Sequence, residues 1–190
     1  MRKLFYILIF SILVFSCTST KKIYKETNGG LEKLDSAQIS GVYQNKLHNR
    51  IDSKNTRRGL GYDDPNSLWY KLNKGFIFKI KPREYNDSCL VILIEINKRT
   101  LSASLVNKGD TLKTIKLKGR RKEKYFLVNR KILLIPIPFI FYLHREKRIL
   151  IGITENNNLS IKEGEFVFVW IGFSGDAEWI SEFHFKKNIL

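Results

Sequence analysis

Three strand-like runs with very short joints, between Cys89 and Lys118, restrict this chain more than anything else in it. Cys89 to Ile96 is β-branched and aliphatic. Leu101, Ala103 and Leu105 then alternate with serines, and Ile115 and Leu117 alternate with Thr114, Lys116 and Lys118. A period of two sends successive side chains to opposite faces of a sheet. The joints are Asn97-Lys98-Arg99 and Asn107-Lys108-Gly109-Asp110, the second with a glycine available for positive φ. A parallel crossover needs roughly a dozen residues or more, so these runs must pair antiparallel. The centre of the chain is a meander.

The same pattern extends to both sides. Gly41-Val42-Tyr43 opens a short alternating segment, and a charged loop follows from His48 to Asn66. Ser67 to Leu72 and Phe76 to Lys81 read as the next two strands, before Pro82 and Asn86-Asp87-Ser88 break the pattern. Tyr125 to Val128 continues the sheet. The run ILLIPIPFIFYL from Ile132 is too short to span a membrane as a helix, which takes about 20 residues, and Pro136 and Pro138 would break one. It reads as a strand that ends or bends at the prolines and resumes near Phe139. Ile149 to Thr154, the turn Asn156-Asn157-Asn158 and Leu159 to Lys162 form a hairpin. Glu165 to Phe173 is apolar on both faces and needs cover on both, and Trp179 to Phe185 alternates again. The expected fold is all-β, an antiparallel meander of about 8–10 strands that hides its edges by closing into a barrel or by folding into a sandwich.

The N-terminus has a different character. In MRKLFYILIFSILVFSC, Arg2 and Lys3 precede an apolar run from Leu4 to Phe15, with Ser16-Cys17 at its end. That is the layout of a secretory signal peptide, and the run is too short for a spanning helix. Val14-Phe15-Ser16-Cys17 resembles the lipobox of bacterial lipoproteins. The resemblance implies cleavage before Cys17, a diacylglycerol thioether on its sulfur and an acylated amino group (palmitate-type chains). Each buried methylene contributes about 0.8 kcal/mol, so two or three chains hold a protein on a membrane without a helix. The expected organisation is a signal peptide over 1–16, a lipidated cysteine and polar tether over 17–35, and a β-domain over 36–190. Loss of Arg2 and Lys3 lowers the formal charge from +16 to +14. Cys89 is then the only free thiol, so no intrachain disulfide forms; opening an apolar strand, it reads as buried and inert. Lys21, Lys22 and Lys25 on the tether either meet anionic headgroups or stay solvated.

Gly41-Val42-Tyr43 is also similar to the G-x-W that opens the first strand of lipocalins, with tyrosine in place of tryptophan. In that family the aromatic ring plugs the closed end of the barrel. The overall pattern resembles the small, basic, β-rich lipoproteins common in Bacteroidota-type bacteria. Together these likenesses imply a cell-envelope location, anchored in a membrane and facing the periplasm from the outer membrane.

Catalytic and metal signatures are missing from the sequence. His48, His144 and His184 stand far apart with no second ligand at metal spacing, and no H-E-x-x-H, C-x-x-C, Walker loop or dinucleotide fingerprint occurs. Gly172-Phe173-Ser174-Gly175 is one residue wrong for a nucleophile elbow, and Asp63-Asp64 before Pro65 suits a turn. The expectation is a non-enzyme without metal or cofactor.

Charge is more informative. Twelve basic and two acidic residues lie between Lys98 and Lys131, densest at Lys113, Lys116, Lys118, Arg120, Arg121, Lys122 and Lys124. Strand alternation places Lys116 and Lys118 on the outer face with Thr114, and Gly119 to Glu123 reads as the connecting loop. Such a surface attracts phosphate-bearing partners. In an exported, anchored protein these are anionic lipid heads or lipopolysaccharide phosphates, not nucleic acid. Two functions follow. One is an envelope interaction or structural lipoprotein working through Lys113, Lys116, Lys118, Arg120, Arg121 and Lys122. The other is a lipocalin-like carrier of an apolar ligand or lipid, its pocket lined by Phe126, Val128, Phe166, Phe168 and Trp170.

Overall fold

The computed structural model describes residues 34–35, 38–52, 67–73, 88–129, 131–137, 141–170 and 174–188. The signal segment, Cys17, nearly all of the tether, Asp63-Asp64 and the strand expected over Phe76–Lys81 lie outside these residues. All described residues belong to one unit, Lys33–Leu190. The chain is all-β and barrel-like, with strands β1 (Leu34–Asp35), β2 (Gly41–Gln44), β3 (Asn49–Asp52), β4 (Leu90–Asn97), β5 (Thr100–Asn107), β6 (Asp110–Arg121), β7 (Tyr125–Val128), β8 (Lys131–Ile137), β9 (Phe141–Thr154), β10 (Leu159–Trp170) and β11 (Ser174–Phe185). One short helix, α1 (Leu68–Asn73), interrupts them.

Every pairing is antiparallel, in the order β2-β4-β5-β6-β7-β9-β10-β11-β3. The sheet curls until it meets its own beginning. Past β11, Lys187 bridges Tyr43 of β2, Gln44 N donates to Lys186 O at 3.0 Å and Asn188 N to Val42 O at 2.8 Å. β3 continues this contact along β11, pairing Asn49 to Asp52 with His184 to Ser181. Turn chemistry fixes the register. Lys108 and Gly109 both take positive φ (49° and 93°), as a tight two-residue hairpin turn requires. Asn157 does the same at 59°, where Thr154 and Asn158 close the β9–β10 turn.

The inward-facing residues form one apolar core that includes Tyr43, Val91, Leu93, Leu101, Leu105, Phe126, Ile151, Ile161 and Phe185. Tyr43 is fully buried, and its hydroxyl donates to Ile39 O at 2.7 Å. Burial pushes its phenol pKa well above the ordinary range. Cys89 is buried and free, as expected.

Several local expectations are corrected. Ser67–Leu72 is not a strand. Ser67 caps α1, its Oγ accepting from Tyr70 N at 3.3 Å, while Asn45 O and Oδ1 accept from Leu68 N and Trp69 N, each at 2.8 Å. Leu68, Trp69 and Leu72 then fall on one helical face and plug the core. The loop read over His48–Asn66 contains β3. Leu34–Asp35, assigned to the tether, pairs with Thr154 and Ile153 of β9. Gly119, Arg120 and Arg121 belong to β6, not to a loop. The Ile132 run is extended and its strand ends at Ile137 among the prolines, as expected; β9 then runs back, so that Lys131–Ile137 lies against Phe141–Lys147 as a hairpin. Pro136 is tolerated because β8 pairs only with β9, leaving it an edge strand.

Gly119 is a point of close approach between β6 and β7. A Cβ there would collide with the Leu127 carbonyl oxygen and the Phe126 ring, and the former is backbone that cannot swing away. Gly119→Ala should therefore destabilise the domain by roughly 1–3 kcal/mol, the usual cost of overpacking. Urea denaturation followed by tryptophan fluorescence measures it; an unchanged midpoint would contradict the packing.

Candidate functional site: the basic end of the barrel

The meander gives the barrel two ends. The β4–β5, β6–β7 and β9–β10 turns share one end, and the β5–β6 turn shares the other with the chain reversals after β8 and β10. This alternation decides which basic residues meet.

Lys116, Lys118 and Arg120 follow one another along the outer face of β6, all exposed. Opposite them on β5 stand small hydroxyl residues: Ser102 pairs with Lys116 and Thr100 with Lys118, while Ser104 Oγ and Thr114 Oγ1 are 2.8 Å apart. Lys122 is exposed just past the strand, its N–H bonded to Tyr125 O at 2.8 Å. The other two predicted residues behave differently. Lys113 is exposed but sits near the β5–β6 turn, about 27 Å along an extended strand from Arg121. Arg121 turns toward Glu95, at 3.7 Å, and is mostly buried there. Four of the six therefore form the patch.

Sequence reading omitted two members. Gly119 N donates to Arg99 O at 2.9 Å and Arg121 N to Lys98 O at 2.7 Å, which folds the β4–β5 turn against the end of β6. Lys98 and Arg99 are exposed and join Lys118, Arg120 and Lys122. Their signal was present in the Asn97-Lys98-Arg99 turn, but the contact that brings them over is long-range backbone pairing. β1 lies at the same end, because it pairs with the last two residues of β9, and Ser40 Oγ accepts from Glu95 N at 2.9 Å.

The five pocket residues do not line one space. Phe126 and Val128 face inward in the core. Phe126 pairs with Ile151 and Ile151 with Ile161, so odd-numbered β10 positions face inward and Phe166, Phe168 and Trp170 face the other side. There Phe166 and Phe168 stack edge-on with His144 and Tyr142, at 5.9 and 6.1 Å between ring centroids.

A feature not anticipated is a charged layer on the inward face, beyond the core. Glu163 pairs with Lys147 and lies 3.9 Å from Lys71 of α1, and Glu165 pairs with Arg145. Lys71 Nζ also stands 4.0 Å from the Phe183 ring centroid. Lys71, Lys147, Glu163 and Glu165 are all buried. Burial lowers the Lys131 pKa; the Lys147 charge pushes the same way and Glu163 opposes. The sequence signal was charge at the inward phase of two apolar strands. Among the described residues no cluster of His, Cys, Asp or Glu suits a metal ion. No helix there is long and apolar enough to cross a membrane.

Neither protein families, curated proteins nor solved structures offer a match to this chain.

On the outer face of β10 and β11, Glu182 accepts from Ser160 Oγ at 2.7 Å and from His184 Nε2 at 2.8 Å, with Lys162 Nζ at 3.3 Å. Burial pushes its carboxyl up, but these hydrogen bonds and the Lys162 charge outweigh it and hold the pKa at about 2, against an ordinary 4.5. A depressed carboxylate stabilises the fold fully above its unfolded pKa and loses that contribution on acidification. Glu182→Gln should therefore be less stable than wild type at neutral pH, with the gap shrinking as pH falls from 4.5 toward 2. Denaturation midpoints across that range test it; a gap independent of pH would exclude the linkage.

Proposed function

We propose that this chain is a lipid-anchored lipoprotein of a bacterial envelope whose basic end docks onto the phosphates of an anionic membrane. The observation that carries the reading is the convergence of Lys98, Arg99, Lys118, Arg120 and Lys122 at the end of the barrel that also holds β1. Cys17, at the close of the signal-like segment, is the proposed lipid attachment. A lipid on Cys17 would not by itself decide which face of the domain meets the membrane. Attraction between the basic end and the headgroups would select one orientation, with about 1 kcal/mol per well-placed charge. The face is built for phosphates as point charges, with hydroxyls of Thr100, Ser102 and Thr114 beside the lysines. Its role is that of an interaction module, not a catalyst.

Full-length chain with Cys17→Ser should prefer vesicles of phosphatidylcholine mixed with phosphatidylglycerol over pure phosphatidylcholine. Added salt should erode that preference, because exposed charges are screened beyond about 8 Å at physiological strength. The triple change Lys118→Glu, Arg120→Glu, Lys122→Glu should reduce it roughly tenfold or more. An undiminished preference in the triple variant would transfer the effect to the N-terminal lysines and remove the basic end from the function. Labelling with a clickable fatty acid should mark the wild-type chain and not Cys17→Ala.

A further inference from the structure

The basic end carries exposed apolar side chains as well as charge. Ile94 and Ile96, near the end of β4, are 53 % and 51 % exposed, on a strand whose other phase, Val91 and Leu93, is fully buried in the core. Ile94 faces outward by its pairing with Ser102, which in turn pairs with Lys116. Three neighbouring strands thus present isoleucine, serine and lysine in one row, and Lys116 lies about 10 Å from Ile94 at the ordinary strand spacing. The register shifts between Glu95 and Asn97, and Ile96 stands at that irregularity, next to the turn that carries Lys98 and Arg99. Serine and threonine between the two stripes add no bulk that would hold a flat surface away. Neighbouring exposed aliphatic side chains rimmed by polar and charged residues are the composition of a surface that meets a membrane or a partner.

From this arrangement we infer that Ile94 and Ile96 enter the acyl region of an anionic bilayer while Lys98, Arg99, Lys116, Lys118 and Arg120 hold its headgroup phosphates. The inference rests on the membrane reading above and narrows it: the partner is the bilayer itself, not a phosphate-bearing soluble molecule. Charge complementarity and the position of β1 at the same end argue for that occupant. The isoleucines distinguish a bilayer from a free phosphate, which has nothing apolar to offer them. Shallow insertion of this type reaches roughly 5–10 Å, to the boundary of headgroups and chains, and needs no spanning element.

The test uses the full-length chain with Cys17→Ser and an environment-sensitive dye on Ile94→Cys. A second preparation carries the dye on Lys108→Cys at the opposite end of the barrel, and a third on Asn156→Cys in the β9–β10 turn at the basic end. Cys89 is buried and stays unlabelled. On vesicles containing phosphatidylglycerol with brominated acyl chains, the dye at position 94 should be quenched several-fold more than the dye at 108. The dye at 156 should report proximity to a headgroup-labelled lipid. In the same vesicles Ile96→Asp should abolish the quenching at 94 and leave the headgroup signal at 156. Headgroup proximity at 156 without acyl quenching at 94 would overturn the inference and keep the proposed function. Absence of both would overturn the two together. A dye at 94 already shielded from aqueous iodide without vesicles would assign the isoleucines to a second copy or to another part of the chain, and would also overturn it.

Discussion

The ring of backbone hydrogen bonds is the constraint on which the rest depends. A meander that stopped at β11 would leave β2 and β11 as open edges, each a row of unpaired N–H and C=O groups ready for another chain. Here Gln44 and Asn188 bond across the seam, and β3 extends the seam down β11. Closure forces curvature, and curvature fixes which strand phase is inside. Gly119 lies where β6 passes from β5 to β7, and there the Leu127 carbonyl oxygen and the Phe126 ring occupy the space a Cβ would need. The position of every outward lysine on β6 is a consequence of that inward glycine and of Leu117 two residues before it.

The meander was legible because its signals are local. The two turns around β5, the alternation of Leu101, Ala103 and Leu105 with serines, and the asparagine turn after β9 each specify structure within a few residues. The prolines at 136 and 138 excluded a helix by the same kind of local chemistry. What was not legible depends on partners far along the chain. Ser67–Leu72 alternates well enough for a strand, and only the Asn45 carbonyls and the Ser67 cap make it a helix. β3 has no apolar alternation of its own and exists because β11 offers it an edge. Part of the basic site was legible for the same reason, since Lys116 and Lys118 follow from strand phase, whereas Arg120, read as loop, joins their face only because β6 runs on to Arg121. Lys98 and Arg99 required knowing that the β4–β5 turn folds onto β6. The grouping of Phe126 with Phe166 failed because each strand's alternation was clear but the relation between their phases was not.

The inward charged layer shows how closure and function place opposing demands on the barrel. Burying Lys71, Lys147, Glu163 and Glu165 costs several kcal/mol per ion before pairing is counted, and mutual attraction offsets this only with good geometry. An apolar barrel of the same shape would be at least as stable. What the layer adds is a defined seat for α1, because Lys71 reaches Glu163 only when the helix lies with Leu68, Trp69 and Leu72 in the core. The helix enters the barrel near the end of β2, and β9, β10 and β11 run on past it. The charged contacts thus fix the plug in one place.

The two ends differ in chemistry. One end combines β1, the exposed Lys98, Arg99, Lys118, Arg120 and Lys122 and the half-exposed isoleucines of β4. The other holds the plug, the charged layer and the apolar edge strand β8, with Leu134 and Ile135 in solvent. A free domain with uniform charge would be indifferent to how it met a surface. Along β6 the outward phase changes from Leu112 and Thr114 near one turn to Lys118 and Arg120 near the other. The order of residues along one strand therefore gives the two ends of the described sheet different chemistry.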